Sequence, residues 1–179
     1  MVRQNWRIWR SGADMQLLTE RTQDLILDRA STFGGDTEMH RKSDVAWIHE
    51  FDKATLFHLF RFAKDFSGVT DIDIMCRADV QYTVYHGSEG GKYDWHHDVD
   101  WKRNDGWDRK ISITVQMSDP DEYEGGAFEF GDGIEALPDW HREKGTVLAF
   151  PSYIAHRVLP VTSGTRKSLV AWFEGPTWR

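Results

Sequence analysis

Apolar residues change their spacing part-way along the chain. In the stretch SGADMQLLTERTQDLILDRA, 11–30, Ser11 followed three residues on by Asp14 approximates a capping box. Leu18, Leu25 and Ile26 then recur at helical spacing. A second helix is predicted to begin near Asp52, because Leu56, Leu59, Phe60 and Ala63 fall at i, i+3, i+4 and i+7, with Gly68 as its expected stop. From about residue 72 the period drops to two. In DVQYTVY, Val80, Tyr82 and Val84 alternate with polar neighbours. KISITVQM, GAFEF, GTVLAF, HRVLPV and RKSLVAWF follow, separated by turn-rich pieces such as SDPDEYEGG and TSG. Helices first, then many short strands with no helices between them, is not a parallel βαβ layout. The pattern predicts one domain, 1–179, with a helical support region over 1–70 and a β core over 71–179. That core should be a mainly β, antiparallel sandwich or jelly roll.

Composition narrows the setting. A polypeptide of 179 residues can bury a core without covalent staples, and its single cysteine, Cys76, allows neither a disulfide framework nor a thiolate zinc cluster. The N-terminal MVRQNWRIWR has no continuous apolar run, so it does not read as a secretory signal, and no stretch approaches the ~20 apolar residues of a membrane span. These features favour a reducing cytoplasm and exclude a membrane partner. The net charge of −7 argues against a dedicated nucleic-acid binder, because phosphate contacts need a basic face. Nine tryptophans are unusual, and packing accounts for most more readily than stacking on peptides or bases.

The chemistry concentrates in YDWHHDVDW, 93–101. In an extended segment, residues i and i+2 share a face. Asp94, His96, Asp98 and Asp100 would then point one way, and Tyr93, Trp95, His97 and Val99 the other. His96 has a carboxylate two residues on, whereas His97 is followed at that spacing by Val99. The pair to single out is His96 and Asp98. Alone it is a weak signal, since about one His-x-Asp arises by chance in a sequence of this composition.

The distal stretch FPSYIAHRVLPVTSGTRKSLVAW strengthens it. His156 begins a strand and TSG offers a turn. If that turn centres near Ser163, Arg166 returns on the face of His156, about four residues or ~13 Å along. Such a gap suits a metal at one end, a guanidinium at the other and a small dicarboxylate between them. Two histidines and one carboxylate, with half the coordination sphere open, are the ligand set of non-haem iron(II) oxygenases. Iron, Asp98, a bound 2-oxoglutarate and Arg166 together sum to zero charge, and a neutral assembly can be kept from water at tolerable cost.

On these residues the chain resembles the iron(II)- and 2-oxoglutarate-dependent dioxygenases, specifically the prolyl 4-hydroxylase-like (PKHD-type) branch. The resemblance runs from about Gln81 to Pro176 and comprises YDWHHD, EGGAFEF and AHRVLPVTSGTRKSLVAWFEGP, in that order. It implies a double-stranded β-helix, the cupin-like jelly roll. It also implies His96, Asp98 and His156 as iron ligands, with Arg166 on the far carboxylate of 2-oxoglutarate. Tyr85 or Tyr93 would donate a hydroxyl to that co-substrate, and Ser168 matches an Arg-x-Ser pattern of some members. The implied reaction consumes O2 and 2-oxoglutarate, with ascorbate as an optional reductant, and hydroxylates an unactivated C–H bond. A prolyl residue in a peptide or protein is the leading substrate class. Collagen-type members carry lysine at the distal basic position, so a collagen-like substrate is not carried over. The alternatives are a free amino acid, small metabolite or nucleobase as substrate, and a non-catalytic β-sandwich that only binds.

Other signals are weaker. His141 and Glu143 could form a second ligand pair but lie in a turn-like segment. HGSEGGKY lacks the features of a phosphate loop, SDPDEYEGG lacks the spacing of a calcium loop, and HEFDK at 49–53 is not a zinc-protease motif. VDWKRNDGWDRK, 99–110, follows Asp98 directly and could close over a substrate. Its Lys102, Arg103, Arg109 and Lys110 could meet an acidic or peptide partner.

Overall fold

The computed structural model describes residues 5–31, 37–48, 52–131 and 133–179. The front third supplies β1 (Arg7–Trp9), α1 (Met15–Thr22), β2 (Asp28–Arg29), α2 (Thr37–His40), β3 (Arg41–Lys42), β4 (Asp44–Ile48) and α3 (Lys53–Thr70). Then come β5 (Ala78–His86), β6 (Lys92–His96), β7 (Trp107–Gln116), β8 (Tyr123–Gly125), β9 (Phe128–Phe130), β10 (Val147–Pro151), β11 (His156–Val158) and β12 (Val161–Pro176). The major sheet runs β1-β10-β7-β12-β5-β4-β2, with β8 attached to the early part of β12, and the minor sheet runs β3-β6-β11-β9. Every strand pairing is antiparallel. Two facing antiparallel sheets are the predicted jelly roll.

The front third is not purely helical, for four short strands in it join the two sheets. Segments of two to five residues carry too little periodicity to be read locally, and their partners lie far along the sequence. The first helix is also shorter than its pattern. Its N-cap is Asp14, whose carboxylate accepts from Leu17 N, while Ser11 sits outside at φ 48. The backbone leaves the helix after Thr22, and Ile26 is exposed. In α3 the cap is Asp52 as predicted, but the helix runs through Gly68 and stops at Asp71, in the left-handed region at φ 58. The HEFDK stretch falls largely outside the described residues.

Alternation in the long strands gives each an apolar and a polar face. Val80, Tyr82 and Val84 of β5, Ile111, Ile113 and Val115 of β7, and Leu169, Ala171 and Phe173 of β12 pack with Leu56, Leu59, Phe62, Ala63 and Phe66 of α3 in one core. Burying each of the valine, leucine, isoleucine and phenylalanine side chains contributes about 1.5–3 kcal/mol. The opposite faces of the same strands present Gln81, Thr83, Tyr85, Ser112, Thr114, Arg166 and Ser168, all buried, toward the minor sheet. A second apolar cluster, including Tyr85, Tyr123, Phe128, Phe150 and Val158, closes the space between the sheets.

One predicted connection differs. β11 and β12 do not form a hairpin: β11 pairs with β6 and β9, while β12 continues through Ser163 and Gly164 without reversing. Gly164, at φ 70, pairs with Tyr123, and a Cβ there would collide with the carbonyl of Glu122. The glycine lets β12 pass from β8 to β5 rather than turn back. His156 and Arg166 therefore belong to different sheets.

Candidate metal and co-substrate site

His96 ends β6 and His156 begins β11, and the two are register partners. Asp98 follows just beyond β6, where its N–H donates to Ser152 O at 2.9 Å. The ligating atoms of His96, Asp98 and His156 all lie within 4.8 Å of one another. The Nε2 atoms of His96 and His156 stand 3.7 and 3.5 Å from the two carboxylate oxygens of Asp98. Among the described residues this is the one cluster of three such side chains.

Each ring is fixed by its other nitrogen. Nδ1 of His96 donates to Asp94 O at 2.7 Å, and Nδ1 of His156 donates to Ile154 O at 2.9 Å. A carbonyl only accepts, so Nδ1 carries the proton and Nε2 keeps a lone pair for a metal. Burial, reinforced by His156, pulls the pKa of His96 down to about 3, which keeps the imidazole neutral. Burial alone would raise the pKa of Asp98. The paired histidines and the Ser112 hydroxyl, which donates at 2.6 Å, outweigh it and hold the carboxyl below its usual range. Ser112 and Ser152 are hydrogen-bonded at 2.9 Å, so Asp98 is oriented by a two-serine relay that its local sequence does not reveal. Phe128 and Phe150 pack against the His156 ring, with centroids 5.4 and 4.7 Å away.

Arg166 faces this cluster from β12. It is 1% exposed, its Cζ lies 5.4 Å from the Tyr85 ring centroid, and its Nε and Nη1 are buried without a hydrogen-bond partner. A buried guanidinium with orphaned donors fits a bound carboxylate. An inner cavity is lined by Arg166, Ser168, Thr83 and Tyr85 at one end and by Tyr93, His96, Asp98 and His156 at the other. Imidazole and carboxylate donors with an open face fit iron(II), and the opposed guanidinium fits the far carboxylate of 2-oxoglutarate. Tyr85 sits at the Arg166 end. Tyr93 stacks on His96 with centroids 3.5 Å apart.

The remaining candidates do other work. His97 points outward, with Nδ1 on Tyr153 O at 2.6 Å. Asp100 is exposed and caps Lys102 N, and Val99 is buried, because the backbone leaves strand geometry after His96. Glu143 forms a fork with Arg10 at 2.7 and 2.6 Å, and His141 Nδ1 is held by Pro138 O, so the two do not act as a ligand pair. Within 99–110, Arg103 is tied to Glu174 and Asp105, and Lys110 donates to Pro176 O under the Trp178 ring. Arg109 pairs with Asp79 at 3.0 Å and lies over Trp172. This segment forms one wall of an outer cleft of about 590 Å³ that opens onto His96 and Asp98. The cleft is also lined by a residue that sequence reasoning missed, the buried Arg41, which lies in β3, a strand of only two residues.

The profile of the 2OG-Fe(II) oxygenase superfamily matches residues 80–174. The chain belongs to this superfamily. A PKHD-type hydroxylase of Synechococcus sp. (strain CC9605) is 38% identical over 91 residues, 51% of this chain and 40% of the relative. The match thus spans about two fifths of that curated relative's length. A Pseudomonas putida prolyl-4-hydroxylase superposes with a TM-score of 0.71 at 19% identity, covering 96% of this chain and 93% of the other. A viral collagen prolyl hydroxylase from Paramecium Bursaria Chlorella virus-1, solved with 2OG, gives 0.68 at 19% identity, covering 96% and 97%. These structures share the double-stranded β-helix with this member of the superfamily. Among its described residues, no helix is long and apolar enough to cross a membrane.

Proposed function

We propose that the protein is an iron(II)- and 2-oxoglutarate-dependent dioxygenase that hydroxylates a prolyl residue in a peptide or protein. The observation that carries the reading is the opposition, across one cavity, of the His96, Asp98 and His156 cluster to a buried Arg166 with orphaned donors. His96, Asp98 and His156 would hold iron, while Arg166, with Tyr85 and Ser168 beside it, would hold the far carboxylate. When bound, the metal and 2-oxoglutarate supply the oxidation, in which O2 gives one oxygen atom to succinate and one to the new hydroxyl as CO2 leaves. The protein's own part is positional. The Asp94 and Ile154 carbonyls fix both imidazoles, Ser112 aims Asp98, and Phe128 and Phe150 keep water from the His156 side. The outer cleft, rimmed by the exposed indoles of Trp47 and Trp95, has room for a peptide. The prolyl and hydroxylase names of the relatives support the substrate class.

The test is succinate formation that requires iron(II) and 2-oxoglutarate, coupled to a 16 Da gain on prolyl peptides and abolished by His96→Ala. Absence of succinate with any substrate, or without one, would overturn the dioxygenase reading. A 16 Da gain confined to small metabolites would overturn the peptidyl one.

A further inference from the structure

Arg41 is 7% exposed and lines both the inner cavity and the outer cleft. Its Nε donates to Ser43 Oγ and its Nη2 to Gln81 Oε1, both at 2.8 Å. Both acceptors are neutral. A guanidinium has five N–H donors, so three remain for a ligand. Its Cζ lies 4.6 Å from the centroid of Tyr93, the ring that also stacks on His96. The cation thus sits beside the proposed metal ligand, at the floor of the cleft where a substrate would enter.

Charge accounting separates Arg41 from the other cleft arginines. Arg103 is held by Glu174 and Asp105, and Arg109 by Asp79. Arg41 has no carboxylate within 4.0 Å among the described residues. Iron, Asp98, 2-oxoglutarate and Arg166 already balance one another, which leaves the charge of Arg41 uncompensated. A buried cation without a counter-charge is costly, and the planar fork of arginine matches a carboxylate. We infer that the substrate presents a carboxylate, which Arg41 binds beside the metal. The inference rests on the hydroxylase reading above and narrows its substrate class. The carboxylate belongs either to the target residue itself, as in the last residue of a peptide, or to an acidic side chain next to it.

Two matched pairs of probes separate these sources: N-acetylproline against N-acetylprolinamide, and acetyl-Pro-Glu-amide against acetyl-Pro-Gln-amide. Each is titrated calorimetrically, without oxygen, into protein loaded with iron(II) and 2-oxoglutarate. At least one acid should bind tenfold or more tightly than its neutral twin. That ratio should fall to about one in Arg41→Gln and be partly kept in Arg41→Lys. Because the readout is a ratio, a general loosening of the fold by the substitution does not mimic it. No acid preference in the wild type, no binding by any probe, or a preference that survives Arg41→Gln overturns the inference. The 16 Da assay on the same probes keeps the two claims apart. Equal hydroxylation of acid and neutral probes leaves the hydroxylase reading standing without the carboxylate. Arg41-dependent acid binding without hydroxylation does the reverse.

Discussion

His156 stands opposite His96 across the β6–β11 pair, and each ring donates Nδ1–H to the carbonyl two residues before it. Register sets the separation of the two imidazoles, and the local backbone sets their tautomer. The hydrogen bond that fixes each ring therefore comes from the backbone. Asp98 lies outside the strand and depends on Ser112.

That dependence gives the first prediction. Ser112→Ala should lower metal affinity about 10–100-fold, the usual cost of losing a group that orients a ligand. Titration with cobalt(II) or iron(II), followed by absorbance or calorimetry, measures it. Affinity equal to wild type would remove Ser112 from the site.

Arg166 is a buried charge awaiting an anion, so its loss should part stability from binding. In the ligand-free protein, Arg166→Met should be neutral or stabilising by about 1–4 kcal/mol. For a domain of this size each kcal/mol raises Tm by about 2–4 °C. 2-Oxoglutarate should raise the Tm of the wild type and leave the variant unmoved. Paired melting curves check both halves.

Gly126 supports Arg166 from behind. A Cβ there would sit 2.9 Å from Arg166 Cδ and 2.9 Å from Val161 Cγ2, in a residue at φ 61. Gly126→Ala should cost about 1 kcal/mol or more of stability from backbone strain. It should also raise the KM for 2-oxoglutarate by displacing the guanidinium, with metal affinity unchanged. Thermal melts and succinate kinetics separate the effects.

The metal-free protein should lose stability as pH falls from about 6.5. The pKa of His96 is about 3 when folded, so between these values the unfolded state binds a proton that the native one refuses. Stability therefore rises with pH across that window, by up to about 1.4 kcal/mol per unit per histidine. His58 and His141, both lowered first by burial, act in the same direction. Asp98, also lowered, withdraws its contribution only in more acid solution, as the pH falls through its folded pKa. Urea unfolding between pH 5 and 7.5 should give a shallower slope for His96→Asn than for the wild type.

The long strands and the second helix were legible because each carries its period over enough residues. The cluster of His96, Asp98 and His156 was legible because the spacing and order of these residues resemble a family. The polar half of the alternation was harder to read. Gln81, Thr83 and Thr114 occupy positions that, in a strand with one wet face, would meet solvent, yet they line an enclosed site because a second sheet covers them. Arg41 was invisible, since the two residues of β3 cannot announce a period. The expected return at Ser163 failed for a different reason. A glycine with a positive φ signals a sharp local bend, and only the partner strands decide whether the backbone reverses or switches neighbours.

That switch puts His96 and His156 on one sheet and Arg166 on the other. The span between them is then a gauge set by how closely the two layers pack, through side chains such as Phe128, Phe150 and Val161. Enlarging or shrinking those spacers should retune which length of 2-oxo diacid the protein accepts.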